Sequence, residues 1–389
     1  MSRRMIALAF ACVLTIAGLS EAATYRWLGG GNDNNWGNST NWEFGVIPPT
    51  LQQSGTTTDV FMRGSGGTSD LADILNNDAR WELDSLTFES AATGSLTLIG
   101  GELRLLNIFN TNTRRIRNSD GNTHTFQNTR VELWQPFTDF DADEGDLDFD
   151  APVRFENFSG SQTLTITGGN DVFFDGGITS NGGDGVLSIF ESTVAHIRSS
   201  ASGVDQVNLS GGGVLRIGSN SNLSDSVNIS AFAGTTFDVN GWTENVDQIT
   251  GSGTVDLGSG ALTFGDSADF TFSGSIIGTG SLTKNQSGVT TLGGISTYSG
   301  ATNITQGTLR LNNATSDGSL SSSTDVSVSA GGTFDLNGVT DTVDSVSGSG
   351  TILLGGGELI VDATSGTEVF TGSITESGTL RKLGNHTLT

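Results

Sequence analysis

The densest set of hard oxygen ligands in this 389-residue chain is the run Asp139-Phe-Asp141-Ala-Asp143-Glu144-Gly-Asp146-Leu-Asp148-Phe-Asp150. Carboxylates at alternate positions suit calcium, a hard cation that takes oxygen ligands. Asp139, Asp141 and Asp143 stand at the first three ligand spacings of an EF-hand loop. The glycine that such a loop needs at its sixth position is replaced by Glu144, and its closing glutamate by Asp150. Calcium at Asp139, Asp141, Asp143 and Asp146 would therefore need another geometry. The same run also reads as an ordinary strand segment, with Leu147 and Phe149 inward and Asp148 and Asp150 outward. About one strand-and-turn unit earlier lies a basic cluster, Arg114, Arg115 and Arg117. It offers cations either to an acidic polysaccharide or to the acidic surface of the chain itself. His124 and His196 lack the neighbours that a nucleophile-base pair requires. No catalytic residue is assigned, and calcium is the one cofactor that the residues suggest.

Composition narrows the chemistry further. Two lysines, Lys284 and Lys382, and three histidines leave few general bases. The formal net charge of −25 excludes a binder of nucleic-acid phosphates, whose affinity comes from Lys and Arg. It also argues against docking on anionic membranes. Arg3 and Arg4 precede an apolar run, Met5 to Leu19, and Ser20-Glu21-Ala22 supplies the small residues of a cleavage site. The segment 1–22 reads as a secretory signal, too short for a membrane span, which leaves none in the mature chain. Cys12 lies inside this signal, so the mature chain has no thiolate, disulfide or cysteine zinc site.

The elements that position these residues are short strands. Glycine is 56 of 389 residues, about twice the usual share of ~7%. Apolar residues alternate with polar ones over short runs, as in Leu164-Thr-Ile166, Val207-Asn-Leu209 and Leu309-Arg-Leu311, bounded by Gly, Asn, Asp and Ser. Leu71 to Leu86 is the one stretch whose period is ambiguous. Repetition decides the architecture. Thr236 to Leu262 aligns without gaps to Thr333 to Leu359. Gly213-Val-Leu-Arg-Ile217 matches Gly307-Thr-Leu-Arg-Leu311, and Phe272 to Lys284 matches Phe370 to Lys382. Strands this short cannot hold a sandwich, and regular Asn-Gly or Asp-Gly hairpins are missing. The reading is an all-β parallel β-helix in which each strand pairs with its counterpart one rung on. All four prolines, each of which would delete a ladder bond, lie at or before residue 152.

The run from Lys284 to Asn313 resembles the autotransporter-associated β-strand repeat, also called the passenger-associated transport repeat. Leu282, Lys284, Gly288, Leu292, Gly294, Thr297, Tyr298, Gly300, Thr302, Ile304, Gly307, Thr308, Leu309 and Leu311 fit its pattern. Gln286, Val289 and Thr290 depart from it. The resemblance implies a right-handed β-helix in an exported bacterial surface or secreted protein, with the repeat serving folding and secretion. The opening Trp27 to Pro49, with Trp27, Trp36, Asn41, Trp42, Gly45 and Pro48 in place, is similar to the start of large exported bacterial repeat proteins. A tryptophan-rich segment there would cover the first rung and blunt its strand edge. Trp81, Trp134 and Trp242 offer further flat faces on which sugars stack.

The expected organisation is a signal over 1–22, an N-terminal cap region over 23–90, degenerate rungs over 91–212 and repeat units over 213–389. The last unit stops in mid-strand and reads as truncated. The sequence signatures of β-helical polygalacturonases are missing. The expected function is therefore a non-enzymatic exported scaffold, adhesive in character, whose partners are extracellular polysaccharide or cell-surface components. The alternative is a polysaccharide-binding or polysaccharide-degrading β-helix, which should gather Asp with Arg or Lys in one lateral groove.

Overall fold

The computed structural model describes residues 23–28, 35–48, 58–63, 67–70, 80–89, 94–106, 115–156, 160–313 and 319–389. The signal, Arg114 and most of the ambiguous stretch lie outside them. Within them the chain is an all-β parallel solenoid without α-helix. Its strands run parallel, each against its counterpart one rung away. Rung length is not constant. The step from Thr333 to its partner Thr351 is short, and the step from Ser85 to its partner Arg115 is long.

The alternating sequence forms such a coil because side chains of a strand point to opposite faces in turn. In Gln162–Thr167 the residues Gln162, Leu164 and Ile166 are buried and the threonines face out. Stacking turns this local pattern into ladders. Leu164 pairs with Leu187, Leu187 with Val207, Val207 with Ile229 and Ile229 with Ile249, all inside. Each such side chain contributes roughly 1.5–3 kcal/mol by leaving water. Phe126, Phe149 and Phe174 stack in the same way, with ring centroids 4.6 and 5.7 Å apart. Outside, Thr165, Ser188, Asn208, Ser230 and Thr250 form a polar ladder beside the first of those columns.

The repeats seen in the sequence are repeats of individual bonds. Asp238 and Asp335 each receive an arginine Nε at 2.7 Å, from Arg216 and Arg310 respectively. The same two aspartates accept the backbone N–H of Asn240 and Asn337, both at 2.8 Å. Both asparagines adopt positive φ, and both donate Nδ2–H to a carbonyl of the preceding rung. Gly251 and Gly348 occupy one further equivalent corner, at φ +99° and +110°. A Cβ there would lie 2.1 Å from the carbonyl oxygen of Ala231 or Val328, so only glycine turns this corner.

At the N-terminal end, Trp27, Trp36, Trp42 and Trp81 form one buried cluster with centroid separations of 5.2–6.3 Å. Trp42 meets Trp27 in an antiparallel bridge and donates its indole N–H to the Trp36 carbonyl at 2.8 Å. The bridge engages backbone groups of strand Ala23–Trp27, which pairs with Thr58–Met62. The tryptophan-rich opening thus forms a buried cluster near the N-terminus.

Candidate functional site

Four strands of one five-stranded sheet, Arg80–Leu83, Glu102–Leu105, Arg130–Leu133 and Val153–Phe155, carry a charge lattice. Arg80, Glu102 and Arg130 are stacked in one outward column, and Glu82, Arg104, Glu132 and Arg154 in the next. Glu132 is 2% exposed and receives Arg104 at 2.9 Å, Arg130 at 3.0 Å and the Trp134 indole N–H at 2.9 Å. Trp134, a candidate for sugar stacking, instead lies under the Arg104 guanidinium at 4.6 Å. Burial pushes the Glu132 carboxyl up, and the neighbouring Glu102 charge adds to the effect.

The basic cluster and the acidic run are adjacent rungs. Arg115 pairs in register with Asp139 and Arg117 with Asp141. Arg115 and Arg117 both approach Asp141 at 3.3 Å, and Arg117 also bonds Asp143. Asp146 turns elsewhere, accepting the backbone N–H of Asp171 at 3.0 Å and facing Thr123 Oγ1 at 3.3 Å. Leu147 and Phe149 are buried, and Asp148 and Asp150 point outward. Every arginine among the described residues has an acidic partner.

Among the described residues, the carboxylates close enough to share one divalent cation are Asp148, Asp150 and Asp175, whose oxygens lie within 4.8 Å of one another. Asp175 was invisible as a ligand in the sequence. It reaches the other two because Phe149 pairs with Phe174, which sets Asp175 beside Asp150 one rung away. Arg198 joins the same face at 3.2 Å from Asp175 and covers the Phe173 ring at 4.2 Å. His196 stacks on Phe173 and bonds Asp171 at 3.1 Å.

Burial raises the Asp148 carboxyl to about 6, helped by the charges of Asp175 and Asp150. An unfolded aspartate titrates near ~4. The folded chain therefore takes up this proton first, and stability from this group rises as pH falls from about 6 toward ~4. Asp148→Asn is expected to stabilise the protein at pH 8 by about 1–2 kcal/mol, after solvent screening of a half-buried charge. Denaturant titrations at pH 8, pH 5 and below pH 4 check this, with the gain full at pH 8, about half as large at pH 5 and lost below about pH 4.

His124 is fully buried against Phe88. Its Nδ1 accepts the Leu96 N–H at 3.0 Å, so its Nε2 carries the proton and donates to Asp120 at 3.0 Å. Burial holds its pKa below the ordinary imidazole value. Glu244, also fully buried, accepts backbone N–H groups of Asn222, Leu223 and Asn245, and burial raises it to about 7. Both close gaps between rungs.

A second set of polar groups lies inside the solenoid between Leu282 and Thr324. Lys284 is 1% exposed, and its ammonium donates to the carbonyls of Asn285, Gln286 and Gln306 at 2.6, 2.8 and 3.2 Å. Burial pushes this amine down to about 8. The three acceptors work against that, because only an ammonium has three N–H bonds to give. Tyr298 is fully buried, with its hydroxyl 2.5 Å from Thr302 Oγ1.

Residues 282–311 match the family model described as Passenger-associated-transport-repeat. This segment is a passenger-associated transport repeat. Repeats of this kind occur in autotransporter passengers, which implies export. No curated protein and no solved structure matches the chain. In the transport repeat the motif lysine, tyrosine and threonine are core residues, bonded within the stack. The two paired strands Thr302–Leu311 and Asp325–Asp335 carry it into the following rung, with a register shift between Ile304 and Gln306. Among the described residues no helix is long and apolar enough to cross a membrane.

Proposed function

We propose that the chain is a non-enzymatic surface or extracellular scaffold whose repeats assist folding and secretion, and that its lateral faces serve adhesion to extracellular polysaccharide or cell-surface components. The observation that carries this reading is where the motif side chains of the transport repeat go. Lys284, Tyr298 and Thr302 are spent on bonds inside and between rungs, as scaffold residues are. The outward arginines are spent in the same way, on carboxylates of the same or adjacent rungs.

A second reading, a polysaccharide-binding or polysaccharide-degrading face, draws on Asp148, Asp150, Asp175 and Arg198 gathered on one side of the coil. One experiment separates the two. The purified chain is applied to a glycan array, and the polysaccharides that it retains are assayed for release of reducing ends. Retention without release supports the adhesive scaffold. Release that disappears in Asp150→Asn or Asp175→Asn overturns it in favour of the degrading face.

A further inference from the structure

We infer that the working unit of the transport repeat in this chain extends beyond residue 311 to Thr324, which acts as a positioning residue that fixes the register of the next rung on Tyr298, Gly300 and Thr302. This rests on the reading of the repeat as a folding element.

The hydrogen-bond directions can be assigned from one end. Thr324 Oγ1 lies 2.6 Å from the Gly300 carbonyl oxygen, which can only accept, so Thr324 donates there. Its lone pair then accepts from Thr302 Oγ1 at 2.8 Å. With that hydrogen used, Thr302 accepts from Tyr298 at 2.5 Å. Burial keeps the phenol protonated, since its pKa is pushed well above the ordinary tyrosine value. The result is a one-way chain, Tyr298 to Thr302 to Thr324 to the Gly300 carbonyl. All three side chains are 0% exposed, so water cannot replace a missing member. Tyr298, Gly300 and Thr302 belong to the matched segment and Thr324 does not.

The incoming strand needs such a contact. Thr302 pairs with Val326, Ile304 with Val328 and Leu309 with Phe334. A slip that preserves the alternation keeps the inward parity of every apolar side chain, so burial alone rejects it weakly. The smallest such slip would carry Thr324 about 6.6 Å along the strand and break its bond to the Gly300 carbonyl. Three buried hydroxyls would then share fewer acceptors than they need, at the cost of desolvated polar groups. Ser319 adds a second tie, donating its hydroxyl to the Leu292 carbonyl at 2.9 Å. The polar key thus supplies register information that a Val-Leu-Ile ladder does not carry.

The test is a double-mutant cycle on the full chain with Tyr298→Phe and Thr324→Val, read by denaturant unfolding and by hydrogen exchange over residues 325–335. Each single change is expected to lower the folding equilibrium constant by a factor of about 5–30, the span of one or two hydrogen bonds. The double change should lose much less than the product of the two factors. Thr324→Val should also lower amide protection in 325–335, and Thr324→Ser should restore both readouts. Multiplicative losses, or unchanged protection in Thr324→Val, would overturn the proposal. If Thr324→Val does not fold, failure of Thr324→Ser to match the native protection does so instead. Secretion is not read in this cycle, so a transport role for the repeat can fail while the register key stands, and the reverse.

Discussion

Replacing Lys284 by methionine destabilises the transport repeat by about 2–4 kcal/mol, because the carbonyls of Asn285, Gln286 and Gln306 lose a shared donor. Methionine keeps the unbranched stem, so packing changes little and the loss reports the ammonium. The opposing effect is the release of a buried charge whose pKa is already depressed to about 8. That gain is real, but three acceptors outweigh it: a carbonyl stripped of its partner inside a protein costs ~1–3 kcal/mol. The Gln306 carbonyl belongs to the following rung, so the damage should spread toward the strand Thr302–Leu311. Denaturant unfolding followed by far-ultraviolet dichroism measures it. A variant as stable as the native chain would show that desolvation, and not the clasp, dominates at this corner.

Trp36→Ala carries the largest expected loss at the other end, about 3–5 kcal/mol. The indole is 0% exposed and touches Trp27, Trp42 and Trp81 edge-on or tilted. Its removal leaves a cavity that three rigid rings cannot close, on a strand edge whose backbone is held by the Trp27–Trp42 bridge. Rungs of a solenoid contact mainly their neighbours, so the two substitutions should act at a distance from each other. Five of the six tryptophans lie between Trp27 and Trp134, and the sixth, Trp242, stands early in the repeat units, so intrinsic fluorescence is weighted toward the N-terminal side. Trp36→Ala is expected to lower the transition seen by fluorescence and leave the repeat region near its native midpoint. Lys284→Met should do the reverse. Equal shifts of both probes in both variants would mean that the coil unfolds as one block.

Much of this was legible in the residues because it is local. The displacement that carries Thr236 onto Thr333 also carries Asp238 onto Asp335, Asn240 onto Asn337 and Gly251 onto Gly348, and the structure gives each pair the same bonds or the same corner. Alternation named Leu147 and Phe149 as inward and Asp148 and Asp150 as outward. What alternation could not reveal is the neighbour above and below. The sequence spacing placed the arginine cluster before the acidic run. The direct contacts of Arg115 and Arg117 with Asp141 follow from the length of the rung at that point, which brings Arg117 into register with Asp141.

The acidic site shows the same division. Asp139, Asp141, Asp143 and Asp146 attract attention because they are close in the chain. The carboxylates that converge include Asp175, a full rung beyond Asp150, and they converge because Phe149 stacks on Phe174. Trp134 reads in the sequence as a platform for sugars. In the structure Arg104 lies across it, because the pairing of Glu132 with Arg104 brings that guanidinium beside the indole.

The kind of object this is follows from patterns local to the chain. Period-two alternation, glycine at forbidden corners and long displaced repeats leave a stacked parallel coil as the structure that satisfies every backbone group, and the transport-repeat motif ties that coil to exported passengers. Which side chains meet depends instead on how the rungs stack. Rungs differ in length, as the steps from Thr333 to Thr351 and from Ser85 to Arg115 show, so a contact between rungs has no fixed spacing in the chain. The register of each strand, set by buried keys such as Thr302 with Thr324, is what converts a list of polar residues into ion pairs, a carboxylate cluster and a hydroxyl chain.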